Sequence, residues 1–220
     1  MIDIHTHIIP FVDDGSSSLE DSIKMVKHEI DIGVDFIICT PHHIYTRYEA
    51  SVEDIKKNYN LLKGEVEKQN LPIKLALGQE ICYSHREDII SMLQEGKLLT
   101  LDNTNYVLLE FSFTREPEDI SDVIYNFTIK GYKVIIAHVE RYAWITLDKV
   151  KEMKLEGAYI QVNSNAVIGA TNGKEKRFVK KLLNLKLVDI VASDVHCFRP
   201  STLDKALKKC KQPELFNFKF

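Results

Sequence analysis

Seven short apolar runs recur along the chain, at residues 2–7, 34–40, 73–79, 106–112, 133–138, 158–164 and 187–193. They are rich in β-branched residues and apolar on both faces, for example VDFIICT, YVLLEFS and KVIIAH. Strands buried on both sides of a sheet need that composition. Stretches with helical spacing lie between most of them, at 51–69, 86–95, 117–130 and 173–186. An earlier helix is marked by Ser17 and Glu20 at capping-box spacing, with Leu19, Ile23, Val26 and Ile30 on one apolar face and Gly33 suited to end it. Such alternation predicts an α/β fold, a parallel sheet covered by helices. An open doubly wound sheet and a closed barrel of seven β/α units both satisfy it. Neither GxGxxG nor GxxxxGKS/T occurs, which weakens the nucleotide-binding versions of the open sheet. No linker, charge block or repeat divides the chain, so one domain over residues 1–220 is expected.

Composition narrows the class. With 45% hydrophobic and 28% charged residues, the chain reads as an ordinary globular protein. A net charge of -3 carries no global bias toward nucleic acid or anionic membranes. No apolar run approaches the roughly 20 residues that span a bilayer, and the N-terminus lacks the pattern of a signal peptide. Cys39, Cys82, Cys197 and Cys210 form no CxxC pair, so reduced thiols in a cytoplasmic protein are the simplest reading.

The polar residues change the picture more. His5 and His7 lie one residue apart in the first strand, where alternate side chains share a face. The second strand leads into His42 and His43, whose side chains diverge, so that one of them faces inward. Glu80 follows the third run, Glu110 lies in the fourth, His138 ends the fifth, and Asp194 and His196 follow the seventh. Six of the eight histidines sit at or just after strand ends, whereas His28 and His85 read as surface residues. In parallel β/α folds the carboxyl ends of the strands build the site. Imidazole mixed with carboxylate, without a cysteine pair, suits manganese, iron or zinc. Such a donor set is too large for one ion and suits two or three, the arrangement used in phosphate-ester hydrolysis. Arg141 and Arg199 each follow one of these histidines by three residues, and Arg47 follows His42 by five. Guanidinium groups match phosphate oxygens in a bidentate way.

The segments MIDIHTHIIPFVDDG, CTPHH, ALGQEICY, YVLLEFSF, VIIAHVERY, QVNSNAV and VASDVH resemble the polymerase-and-histidinol-phosphatase (PHP) metallohydrolase family. The likeness spans residues 1 to 196. Within the family it points to the bacterial protein-tyrosine phosphatases encoded with capsule and exopolysaccharide synthesis genes. The resemblance implies a distorted (β/α)7 barrel with three divalent ions, typically Mn2+, at the C-terminal ends of the strands. One ion would be held by His5, His7, Glu80 and Asp194. A second would share Glu80 with Glu110 and His138, and a third would take Asp14, His42 and His196. Asp13 would be a loop or cap residue. Arg141 would bind the phosphate, with Arg199 a second candidate in a segment, CFRPSTLDKAL, that is shorter than the family's usual loop.

The implied substrate is a phosphotyrosine protein, the tail of a bacterial tyrosine kinase, with neither nucleic acid nor membrane insertion involved. No cysteine is followed by arginine at CxxxxxR spacing, so the reading is water attack without a covalent cysteine. Alternatives are a histidinol-phosphate or other small phosphomonoester phosphatase, a PHP nuclease, and a regulatory metal-binding module without turnover.

Overall fold

Every strand pairing is parallel in the computed structural model, which describes residues 1–117 and 120–219. The chain runs β1 (Ile2–Thr6), α1 (Leu19–Asp31), β2 (Phe36–Cys39), β3 (His42–His43), α2 (Val52–Lys68), β4 (Lys74–Leu77), β5 (Glu80–Cys82), α3 (Ile89–Gln94) and β6 (Tyr106–Glu110). It continues as α4 (Ile120–Ile129), β7 (Lys133–Ile136), α5 (Leu147–Leu155), β8 (Tyr159–Asn163), α6 (Ser164–Ile168), α7 (Gly173–Asn184), β9 (Ile190–Ala192) and α8 (Leu203–Cys210). Of the helix expected over 117–130, residues 118 and 119 lie outside the described residues.

The strands pair in the orders β1-β2-β4 and β3-β5-β6-β7-β8-β9. The ring closes where His7 N donates to Val195 O (3.0 Å) and Asp194 N donates to His5 O (2.9 Å). The expected distorted barrel is therefore present, and the distortions have local causes.

Two of the seven expected strands are each split in two. The run at 34–40 breaks at Pro41, which has no N–H for the ladder, and resumes as β3. The run at 73–79 breaks around Gly78, where an added Cβ would lie 2.7 Å from Leu101 Cδ2 and 3.1 Å from its Cα. Beyond these breaks the tips pair anew, with His42 opposite Glu80. A third irregularity lies in β1: Asp3 to Thr6 spans three steps opposite the two from Ile37 to Cys39. The extra residue is a bulge. It reverses the alternation, so that Ile4 faces the barrel interior and so do His5 and His7.

Apolar packing beneath the site follows the period of two. Ile38, Leu108 and Ile135 join the interior cluster with Ile4, Ala76 and Ile190. Their neighbours Ile37, Val107, Leu109, Val134 and Ile136 join the larger cluster under the helices. One boundary differs from expectation: α1 is capped by Ser18, whose side chain accepts from Asp21 N, rather than by Ser17. Glu20, the expected capping-box partner, pairs with Lys24 instead.

Gly15, in the loop after β1, has no space for a side chain, since a Cβ there would lie 2.0 Å from His7 O. Gly15→Ala should lower stability by about 2–3 kcal/mol through overpacking, read as a fall in Tm. By contrast, Gly64 in α2 has nothing within 4 Å of its would-be Cβ, and Gly64→Ala should raise stability by about 0.5–1 kcal/mol.

Candidate metal centre

Glu80 is fully buried at the centre of the strand tips. Its Oε2 lies 3.2 Å from Nε2 of both His5 and His7 and 2.9 Å from His42 Nδ1. Its Oε1 lies 2.8 Å from His138 Nε2. Glu110, at the end of β6, brings Oε2 to 3.5 Å from the same nitrogen. Asp194 Oδ1 is 3.7 Å from His5 Nε2 and 3.6 Å from His7 Nε2. Asp14, reaching in from the loop after β1, places Oδ1 3.6 Å from Nε2 of both His42 and His196. All nine residues singled out as ligands thus meet. His43 turns away to Glu87, 3.0 Å distant. His85 is exposed, as expected, whereas His28 is half-buried with its Nε2 2.9 Å from Ser201 O.

Two of the nine sit on strained backbone. His138 has φ 28° and Asp194 has φ 52°, left-handed values that cost non-glycine residues on the order of 1–3 kcal/mol. Backbone bonds hold both turns, since His138 N donates to Gln161 Oε1 at 2.7 Å and Asp194 N to His5 O at 2.9 Å. Strain of this kind persists where surrounding structure over-determines it.

Carboxylates and imidazoles this close shift one another's protonation: with no cation between them, Glu80 and Asp13 hold His42 and His7 up to about 9 against the effect of burial. Burial opposes ionisation of Glu80, but His5 and His42 hold its carboxyl well below the usual range. Glu110 moves the other way, up to about 7, through burial and the neighbouring Glu80 charge. Burial pulls His138 down to about 4, favouring the neutral imidazole that ligates metals.

The donor atoms crowd together, some in direct contact and some without a partner. His5 Nε2 and His7 Nε2 face each other at 3.2 Å. His42 Nδ1 and Glu80 Oε2, although 2.9 Å apart, lack hydrogen-bond geometry, and both are buried without a partner. Among the described residues, four groups have donor atoms within 4.8 Å of one another: His7, Asp14, His42 and His196; His5, Glu80 and His138; His5, His7 and Asp194; His42, Glu80 and Glu110. Mixed imidazole and carboxylate donors in this geometry fit divalent metal ions.

Two arginines converge on Asp194. Arg141 Nη1 lies 3.2 Å from its Oδ2, with the guanidinium over the Phe113 ring at 4.2 Å. Arg199 Nη2 lies 2.7 Å from the same oxygen and also donates to Asp194 O at 2.7 Å. Arg47 is exposed and lies over the Tyr48 ring.

A family model described as "Capsular polysaccharide synthesis, CpsB/CapC" matches residues 1–213. The chain belongs to the CpsB/CapC family. It is 36% identical over 217 residues to the tyrosine-protein phosphatase CpsB of Streptococcus agalactiae, covering 94% of this chain and 88% of that one. It is 34% identical over 199 residues to the tyrosine-protein phosphatase YwqE of Bacillus subtilis, covering 89% and 77%. A crystal structure from work on YwqE of Bacillus subtilis and CpsB of Streptococcus pneumoniae, described as unique metal-dependent tyrosine phosphatases, superposes with a TM-score of 0.88. Its identity is 31%, with 95% of this chain and 87% of that chain covered. Histidinol phosphate phosphatase from Lactococcus lactis shares the fold, with a TM-score of 0.65 at 14% identity over 98% of this chain and 94% of that chain.

In this CpsB/CapC chain, the residues that orient the cluster are ones the sequence pattern left without a role. Asp13 Oδ2 is 2.8 Å from His7 Nδ1 and accepts from His42 N at 2.9 Å, while its Oδ1 accepts from Gly15 N. It is an orienting carboxylate behind two of the candidate ligands, more than a loop residue. Gln161 Oε1 lies 3.2 Å from His5 Nδ1, and Gln161 Nε2 donates to Asn163 Oδ1, whose own amide donates to Asp194 Oδ2. The signal was present in β8, where two amides alternate within an otherwise apolar strand. Asp13→Ala should weaken metal binding about 10–100-fold, the usual cost of losing such an outer partner. Metal titration of the folded variant, with far-UV circular dichroism as control, measures this.

Proposed function

We propose that the chain is a metal-dependent protein-tyrosine phosphatase that hydrolyses phosphotyrosine on a bacterial tyrosine kinase or related protein in capsule or exopolysaccharide regulation. The observation that carries this is the convergence of nine imidazole and carboxylate donors on one barrel end, beside two arginines, in a chain of the CpsB/CapC family. The relatives' names as tyrosine-protein phosphatases support the substrate class. A cytoplasmic location is part of this reading.

Three divalent ions, Mn2+ by the family resemblance, are assigned to this cluster. His5, His7, Glu80 and Asp194 would hold the first, Glu80, Glu110 and His138 the second, and Asp14, His42 and His196 the third. When bound, such ions supply Lewis acidity and bring the pKa of water toward 7. Arg141, whose side chain is one-third exposed, presents its free N–H groups to the phosphate oxygens as a bidentate fork. Arg199 directs Nε and Nη2 at Asp194, with Nη2 also 3.0 Å from His196 Nδ1, and orients that carboxylate. Burial pushes the Cys39 and Cys82 thiols up, which keeps both protonated and poorly nucleophilic.

Turnover of a phosphotyrosine peptide should vanish with a chelator, return with manganese, and survive thiol alkylation. Histidinol phosphate and an oligonucleotide, run in parallel, should be poorer substrates. Arg141→Ala should keep the fold and the metals but lose about 10²–10³ in kcat/KM, and Arg141→Lys should recover part of it. Near-normal kcat/KM in the fully metallated Arg141→Ala protein would remove the phosphate-binding role.

A further inference from the structure

Among the described residues, the exposed large aromatics are unevenly placed. Phe11, Tyr45, Phe113 and Phe198 lie in the loops that follow β1, β3, β6 and β9, at the end of the barrel that carries the metal cluster. Tyr125 is the fifth and lies on α4, and the exposed Leu and Ile side chains lie on or beside helices away from these loops. Single exposed apolar residues are ordinary, but four of five exposed aromatics gathered at the mouth of one site are not.

Three aromatic rings also share one local arrangement, each beside an arginine and a candidate ligand histidine. Phe113 lies 5.6 Å from the His138 ring with Arg141 over it, and Tyr48 stacks on His42 at 5.8 Å with Arg47 over it. Phe198 lies 5.0 Å from His196, with the Arg199 guanidinium 6.0 Å from its centroid. Phe113 and Tyr48 are covered by their arginines. At Phe198 the guanidinium stands farther off, and the ring is 69% exposed. Its backbone is nevertheless fixed. His196 N donates to Arg199 O and Arg199 N to His196 O, so Cys197 and Phe198 form the tip of a closed turn, and Cys197 N donates to Gly15 O. A rigidly mounted, open aromatic face beside the cluster is preorganised for a planar ring.

We propose that Phe198 is a specificity-determining residue that receives the aryl ring of the phosphomonoester, with Phe113 and Tyr48 completing an aromatic rim that favours aryl over alkyl phosphates. The inference rests on the phosphotyrosine reading above and deepens it. An offset or edge-to-face ring pair gives a selectivity of about five- to ten-fold.

The test uses manganese-loaded protein and two non-hydrolysable dianions, phenylphosphonate and methylphosphonate, with affinities measured by calorimetry. The native chain should bind the phenyl compound about five- to ten-fold more tightly. In Phe198→Ala that ratio should fall to within about two-fold of one, and Phe198→Tyr should restore it. Because Phe198 is exposed, the variants should fold, and circular dichroism and metal content check this. Equal affinities in the native chain, or a preference unchanged in Phe198→Ala, would overturn the rim even if phosphotyrosine is turned over. Hydrolysis of histidinol phosphate without hydrolysis of phosphotyrosine would overturn the phosphotyrosine reading and the rim with it.

Discussion

One buried carboxylate organises the whole end of the barrel. Glu80 has no exposed surface, and an ionised carboxylate in that position is tolerable only if opposite charge surrounds it. Four imidazoles, from β1 and the tips beyond β2 and β7, close on its two oxygens at 2.8–3.2 Å. Imidazoles alone are an incomplete answer, because protonating several of them side by side sets cation against cation. Divalent ions would resolve both problems at once, neutralising the carboxylates and requiring the histidines to be neutral ligands.

Meeting that requirement forces departures from regular sheet geometry. A strand with strict alternation would send His5 and His7 to the helix side, and the bulge between Asp3 and Thr6 sends them inward. Pro41 and Gly78 interrupt two ladders so that His42 and Glu80 become direct partners across β3 and β5. His138 and Asp194 accept left-handed backbone to turn into the same space. Each device weakens local pairing by itself. The two apolar layers beneath, one inside the barrel and one under the helices, carry the stability that sustains them.

A shell of fixed polar partners then restrains the donors. Asp13 orients His7 and the His42 backbone, and the relay from Gln161 through Asn163 to Asp194 joins three strands. The arginines complete the arrangement differently. Arg199 directs two nitrogens at Asp194, whereas Arg141 directs one. Their equal spacing from His196 and His138 in the chain gave no hint of this division.

The α/β class, the seven strand segments and most of the candidate ligands were legible in the chain's own pattern, while Asp14 and the choice of His42 over His43 came from the family resemblance. Strand burial leaves a composition signal that does not depend on partners, and polar residues placed after apolar runs mark the barrel end that a parallel fold must use. Family motifs such as MIDIHTH and AHVERY narrowed barrel against open sheet, which periodicity alone left open. Three-dimensional contact decided the rest. The β1 bulge depends on the registry of β1 against β2, which no single strand encodes. The role of Asp13 depends on His7 and His42 arriving beside it, and that of Arg199 on Asp194 turning toward it. The cap at Ser18 rather than Ser17 came down to which of two adjacent serines could reach an amide. Local pattern specifies what each segment is; which side chains meet is settled only when distant segments close into one ring and compete for the same buried charge.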